Sequence, residues 1–268
     1  MKVPRNPNLP NLKRSKENDK FLNKIAKEEI DPLFNISYWL TGNFRKAKKL
    51  LKLSYFSAME FYEQTYITTD YKNWLLRIVL KRFHGDINKK DIKNDKGIIF
   101  TSEIKKEKIL KILKENNSEK KLRKRISSLP SVLKNVLILH DLHGFNYDQT
   151  GDFVDVPDGV VCMRHFRARN LLFYQSFTEN ESSENIFSFT DEVEPDYPIA
   201  SVLDDELKGE ERRKKIEEKL KQDSILSFEF EIQKAVKNLL KDSLPKIETP
   251  VSLKKKLEKR INKATLTE

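Results

Sequence analysis

The residues best suited to chemistry in this 268-residue chain are cations grouped on one helix: Arg164, Arg167 and Arg169. Arg164 and Arg167 stand three apart and share a helical face, a spacing that suits contact with phosphate oxygens. Other reactive groups read as isolated. His140 and His143 flank Asp141, but two imidazoles without further ligands make a poor metal site. Cys162 is the one cysteine, which excludes an internal disulfide and any multi-cysteine zinc or iron–sulfur site. Nearby arginines would lower its pKa, as a redox-sensing thiol requires. Neither G-x-x-x-x-G-K nor G-x-G-x-x-G occurs among the seven glycines, so no nucleotide-cradling loop is encoded. No acid–base pair or nucleophile set is legible. The chain reads as a non-enzyme with no cofactor.

The elements that would position these groups are helical. Ile30, Leu33, Phe34 and Tyr38, then Leu50, Leu51, Phe56 and Met59, recur at helical spacing on either side of a Thr41-Gly42-Asn43 break. A third helix, Asn73 to Ile87, carries Trp74, Leu75, Ile78 and Val79, and both Trp39 and Trp74 read as core. Leu129-Pro130 opens a further helix that ends at Gly144, Tyr147 to Val154 forms a short one, and Val156-Pro157 starts the arginine-bearing one. Helix, short helix, turn and basic helix is the order of a helix-turn-helix.

Charge divides the chain further. The whole carries +11, yet Ser176–Glu211 holds twelve acids and one base, leaving +22 on the rest. A body this basic suits a polyanion such as nucleic acid. No apolar run approaches the ~18–20 residues that a bilayer span needs. The proline-broken Met1–Lys20 lacks an apolar export segment, so a cytoplasmic protein without a membrane partner is expected. The expected organisation is all-α: a disordered basic arm (1–20), a helical unit (21–90), a basic flexible linker (91–125), the helix-turn-helix (126–176), an acidic linker (177–198) and a C-terminal helical domain (199–268).

Several segments resemble one family. Leu129-Pro130, Leu139-His140-Asp141-Leu142-His143-Gly144-Phe145-Asn146-Tyr147-Asp148, Val156-Pro157-Asp158-Gly159-Val160-Val161 and Arg164-His165-Phe166-Arg167-Ala168-Arg169-Asn170-Leu171-Leu172 run without a gap along the region 4 pattern of extracytoplasmic-function sigma factors. Leu40-Thr41-Gly42-Asn43 with Ala47, Leu50 and Leu51, and Asn73-Trp74-Leu75-Leu76-Arg77-Ile78, resemble that family's region 2. Leu203-Asp204-Asp205-Glu206-Leu207, Glu211-Arg212 and Ile216-Glu217-Glu218-Lys219-Leu220 look like a zinc-type anti-sigma domain. The zinc-ligand positions of that domain fall on Lys219, Asp223 and Leu226, and neither an ammonium nor a leucine ligates zinc.

The resemblance implies a promoter-directing factor whose partners are core RNA polymerase, promoter DNA and an intramolecular or separate anti-sigma-type protein. It assigns −35 contacts to Arg164, Arg167 and Arg169. The −10 strand falls to the loop and helix bearing Thr68, Thr69, Lys72, Lys81, Arg82, Lys89 and Lys90. Polymerase contact falls on Lys48, Lys49 and Lys52, where the family carries acids and amides, so the local charge is reversed. Val160 and Cys162 stand at base-reading positions and cannot make bidentate contacts. The alternative is therefore a sigma-derived interaction scaffold that no longer reads promoters. In either case the tail is expected to restrain the DNA-binding part, packing through Leu203, Leu207, Ile232, Val236 and Leu239.

Overall fold

The computed structural model describes residues 16–64, 70–85, 97–100, 106–115, 118–178, 187–190 and 199–265. The chain is all-α apart from one two-stranded ribbon, and it divides into two compact units. One comprises Met1–Asp86 with Ile247–Glu268, the other Ile87–Lys246.

The first unit contains α1 (Lys16–Glu28), α2 (Ile30–Thr41), α3 (Phe44–Gln64), α4 (Tyr71–Gly85) and the last helix of the chain, Val251–Thr265. Helix α2 is the central element. Leu33, Phe34, Ile36, Tyr38, Trp39 and Leu40 are all buried, so apolar residues surround it rather than forming one stripe. Gly42 ends it in the left-handed conformation (φ 60°), and its N–H donates to the Tyr38 carbonyl at 2.8 Å. Asn43 then accepts the Lys46 N–H at 3.0 Å and starts α3, whose Ala47, Leu51, Tyr55, Ala58 and Tyr62 turn inward. Asp70 caps α4 in the same way, accepting from the backbone of Lys72 and Asn73. Helix α1 starts before the expected boundary of the basic arm: Lys16–Lys20 are helical, and buried Asp19 accepts the Tyr62 hydroxyl at 2.6 Å. The rest of that arm, residues 1–15, lies outside the described residues.

The second unit begins with β1 (Gly97–Phe100), paired antiparallel with β2 (Phe187–Thr190) in the register Gly97 to Thr190. Between them run α5 (Lys106–Glu115), α6 (Glu119–Ser128), α7 (Ser131–Leu137), a π-helical turn (Ile138–Leu142), α8 (Tyr147–Val154) and α9 (Asp158–Thr178). The expected flexible linker over 91–125 thus contains most of two helices. Ile109, Ile112, Leu113, Leu122 and Ile126 are buried, because the many lysines around them point to solvent and leave a narrow apolar seam. After β2 come α10 (Ile199–Leu203), α11 (Glu210–Gln222) and α12 (Ser224–Ser243), with α12 against α9 and α5.

The segment expected to form one C-terminal domain, 199–268, is divided. Helices α10–α12 complete the second unit, whereas α13 (Val251–Thr265) belongs to the first. Leu253, Leu257, Ile261 and Ala264 bury one face of α13 against α3 and α1. Asn23 donates to Asn262 at 3.0 Å and to Thr265 at 2.7 Å, the Ile247 N–H donates to Asn35 at 3.0 Å, and Lys254 pairs with Asp31 at 2.7 Å.

Candidate functional site

The helix-turn-helix forms from local rules. Asn146 and Gln149 make a reciprocal capping box at the start of α8. Asp155 ends that helix at φ 57°, and Pro157 precedes α9, accepting the Val161 N–H at 3.1 Å. Gly151 is required by the tightness of this turn: a Cβ there would lie 2.6 Å from the Val156 carbonyl oxygen. Val136, Tyr147 and Val161 close the core between the three helices, with Val154, Val156 and Cys162 packed on it.

The arginines of α9 are buried to different degrees. Arg169 is fully buried, its guanidinium held by Asp141 (Nε 3.1 Å from Oδ2, and Nη2 on Oδ1) and by both oxygens of Asp204 at 3.1 Å. Arg167 is buried as well, and Arg164 is half-buried. Helical spacing put Arg164 and Arg167 on one face, but much of α9 is covered by α12 and the segment after α10. The assignment of Arg169 to DNA is therefore corrected: its charge is spent inside the fold. The outward edge of the motif is instead acidic. Asp148 and Asp158 are 61% and 51% exposed, Asp152 and Asp155 are exposed beside them, and Lys208 bridges the first two at 3.1 and 3.5 Å. Such an edge repels phosphates at the end of α9 that a major-groove reader must insert.

Behind α9 lies a buried polar network that the sequence did not reveal as a unit. His165 is completely buried; its Nε2 donates to Asp141 at 2.9 Å, and its Nδ1 lies 2.9 Å from the Tyr147 hydroxyl. That hydroxyl is also 2.8 Å from Asp204 Oδ2. His140 stacks on the Tyr147 ring and donates to Glu206 at 2.9 Å, and Glu206 also accepts the Tyr147 backbone N–H. Lys237 of α12 reaches Asp204 at 2.8 Å. Asp141, Asp204 and Glu206 thus face Arg169, Lys237, His140 and His165.

Burial, then the Arg169 charge, pushes the His165 pKa down to about 4, so the ring is neutral at pH 7. Burial alone would raise Asp204, but Arg169 overrides it and holds the carboxyl at about 2. His140 moves the other way: burial would lower it, and Asp141, Asp204 and Glu206 together raise it.

Three of these residues, His140, His165 and Asp204, offer ligand atoms within 4.8 Å of one another. A cation entering there would have to displace Arg169 from Asp204 and Tyr147 from His165. The donor set fits a self-contained ionic core better than a metal centre. Cys162 is also corrected as a thiolate candidate, since burial raises its pKa despite a hydrogen bond with Ser201.

The tail residues expected to pack do so unequally. Ile232 and Val236 are fully buried, Leu203 and Leu207 are half-buried, and Leu240 rather than Leu239 faces the core. Gln233 fixes the register by donating to Asn170 at 2.7 Å and to the Phe166 carbonyl at 3.0 Å. Asp223 caps α12 through the Leu226 N–H at 3.0 Å, and Leu226 is buried.

In the first unit, Lys72 is exposed and pairs with Glu29 at 3.5 Å. Lys81 and Arg82 are half-buried, with Arg82 donating to Ser57 at 2.5 Å. Thr68, Thr69, Lys89 and Lys90 lie outside the described residues. Lys48, Lys49 and Lys52 line a groove of about 690 Å³ together with Arg45, Lys46, Ser252, Leu253 and Lys256. Lys48 and Lys52 each extend over a ring of their own helix, Phe44 and Phe56, at 5.4 Å.

No protein-family profile matches the chain, and no curated protein does. Among solved structures, a co-crystal structure of the sigma factor RpoE in complex with the anti-sigma factor NepR from Bartonella quintana aligns at 18% identity with a TM-score of 0.42. The alignment covers 60% of this chain and 97% of the other. At that score the two backbones differ too much for the likeness to carry weight. No helix among the described residues is long and apolar enough to cross a membrane.

Proposed function

We infer that this chain is a cytoplasmic, non-enzymatic transcription factor of the extracytoplasmic-function sigma type that engages core RNA polymerase. In this reading its helix-turn-helix has stopped reading −35 DNA, and its tail closes over that motif as an anti-sigma-type segment would. The observation that carries the reading is the helix-turn-helix itself. The turn from Gly151 to Asp155 joins the two helices whose sequence resembles the family's region 4, and the tail carboxylate Asp204 holds Arg169 inside. Promoter contact then falls to the first unit, through Lys72, Lys81 and Arg82, with Thr68 and Thr69 outside the described residues.

Affinity capture of the full-length chain with core RNA polymerase, followed by footprinting on promoter libraries, tests this. Polymerase binding with protection around −10 alone is the expected result. Protection at −35 that disappears with Arg164→Ala and Arg167→Ala would overturn it. A second reading, an interaction scaffold without promoter contact, is favoured by the acidic edge of Asp148, Asp152, Asp155 and Asp158. Polymerase capture without any footprint would select it.

A further inference from the structure

Among the described residues, the groove between α3 and α13 is lined by six cations, one serine and one leucine, without a carboxylate. On α3, Arg45, Lys48, Lys49 and Lys52 follow one another at i, i+3, i+4 and i+7, a row that runs along a single face. On α13, Lys256 begins a second row that exposed Lys259 and Lys263 continue at i+3 and i+7. Each row spans about 10 Å of helix axis, which matches ~6 phosphate charges along duplex DNA.

We propose that this α3/α13 groove is a sequence-independent binding surface for the sugar–phosphate backbone of duplex DNA. The lining chemistry favours this occupant. Lysines act as point charges on phosphate and carry no bidentate base code. Among the described residues the groove lining includes no aromatic ring, and Phe44 beside it is capped by Lys48, which disfavours base stacking by a single strand. Two parallel requirements, excess positive charge and absence of any lining acid, arise from different parts of the chain: α3 near the start and α13 at the end. Duplex binding at this surface needs neither polymerase nor a promoter. Lys48, Lys49 and Lys52 are also the polymerase-contact positions that the resemblance implies, but an assay with duplex alone contains no polymerase, so its failure leaves the sigma-type reading standing.

The test measures binding of the full-length chain to a 25-base-pair duplex of arbitrary sequence by fluorescence anisotropy between 50 and 200 mM salt. A triple variant, Lys48→Gln, Lys49→Gln and Lys52→Gln, should lower the slope of log K against log salt by about 2.7, at ~0.9 per lost phosphate contact. The affinity ratio between the two salt concentrations then shrinks about 40-fold. An equal-charge control on α11, Lys214→Gln, Lys215→Gln and Lys221→Gln, should leave the slope unchanged. Lys49→Gln with Lys256→Gln provides a milder pair spanning both helices, with a slope change of about 1.8, in case the triple variant folds poorly. Equal slopes for the groove variants and the unsubstituted chain would overturn the proposal. So would an equal effect of the α11 control, which would mean net charge alone drives binding. Groove-dependent capture of a glutamate-rich peptide in place of the duplex would also overturn it, by assigning the surface to an acidic protein.

Discussion

Replacing Asp204 with alanine removes the tail's anchor from beneath α9. In the folded chain that carboxylate, 1% exposed, accepts two guanidinium bonds from Arg169 at 3.1 Å, the Tyr147 hydroxyl at 2.8 Å and the Lys237 ammonium at 2.8 Å. Its loss leaves fully buried Arg169 with Asp141 alone. Breaking a buried ion pair from one side costs about 3–5 kcal/mol, and the surviving Asp141 contact places this case near the lower end, about 3 kcal/mol. For a unit of this size that corresponds to a fall in Tm of roughly 6–12 °C. Both tryptophans, Trp39 and Trp74, lie in the first unit, so their fluorescence follows that unit while far-UV circular dichroism follows both. The expected outcome is a dichroism transition moved downward with the tryptophan transition in place. A double replacement, Asp204→Leu with Arg169→Met, should not recover the loss, because it leaves buried Asp141 without its guanidinium partner. A cost below about 1 kcal/mol for Asp204→Ala would refute the idea that this network holds the tail.

Acid should weaken the second unit in two steps, measured by urea unfolding from pH 7 to 3. His165 stays neutral in the fold down to about pH 4, whereas the unfolded chain takes up a proton below its ordinary value near 6.5, so stability falls as pH drops from 6.5 to 4, by up to about 3 kcal/mol. Asp204, held at about 2, adds a further loss from about pH 4 downward. His140, shifted upward, contributes stability that is present at low pH and lost as pH rises through its folded value, so His140→Gln should steepen the acid loss. Leu257→Ala should cost the first unit about 2–5 kcal/mol, read by tryptophan fluorescence, although the residue sits eleven positions from the C-terminus. Purified protein is expected to hold no stoichiometric zinc by elemental analysis, and a chelator to leave its helicity and Tm unchanged.

Local pattern carried the helices and their punctuation. The Thr41-Gly42-Asn43 break is the α2–α3 turn, and the short helix from Tyr147 to Val154 stands where its spacing placed it. What spacing could not convey is what covers a face. Arg169 lies 28 and 35 residues from Asp141 and Asp204, so nothing on its own helix distinguishes a phosphate ligand from a buried counter-ion. The strongest available signal was compositional: Asp141 beside His140 among leucines, and Asp204 within Leu203-Asp204-Asp205-Glu206-Leu207, put charge where apolar residues otherwise continue. Helix α6 was hidden by the opposite effect, since lysine density masked Leu122 and Ile126, whereas the helical spacing from Ile104 to Leu113 falls largely on α5. Pro245 and Pro250 mark an end and a fresh start in the helical pattern, but which unit the following helix joins depends on surfaces more than 200 residues away.

That last attachment has a consequence for how the protein comes into being. The first unit needs α13 to cover α1 and α3, and α13 is the final helix to be synthesised. About 165 residues separate the end of α4 from its start, so at roughly 5–20 residues per second the nascent first unit waits on the order of ten to thirty seconds with an uncovered apolar face. The second unit has all its strands and helices in hand before then. Sequence order and completion order are therefore inverted, and a chain cut short after Lys246 would carry a finished second unit beside an unfinished first one. The first unit can therefore close only after synthesis has passed the fifteen-residue helix Val251–Thr265, long after α1 and α3 have left the ribosome.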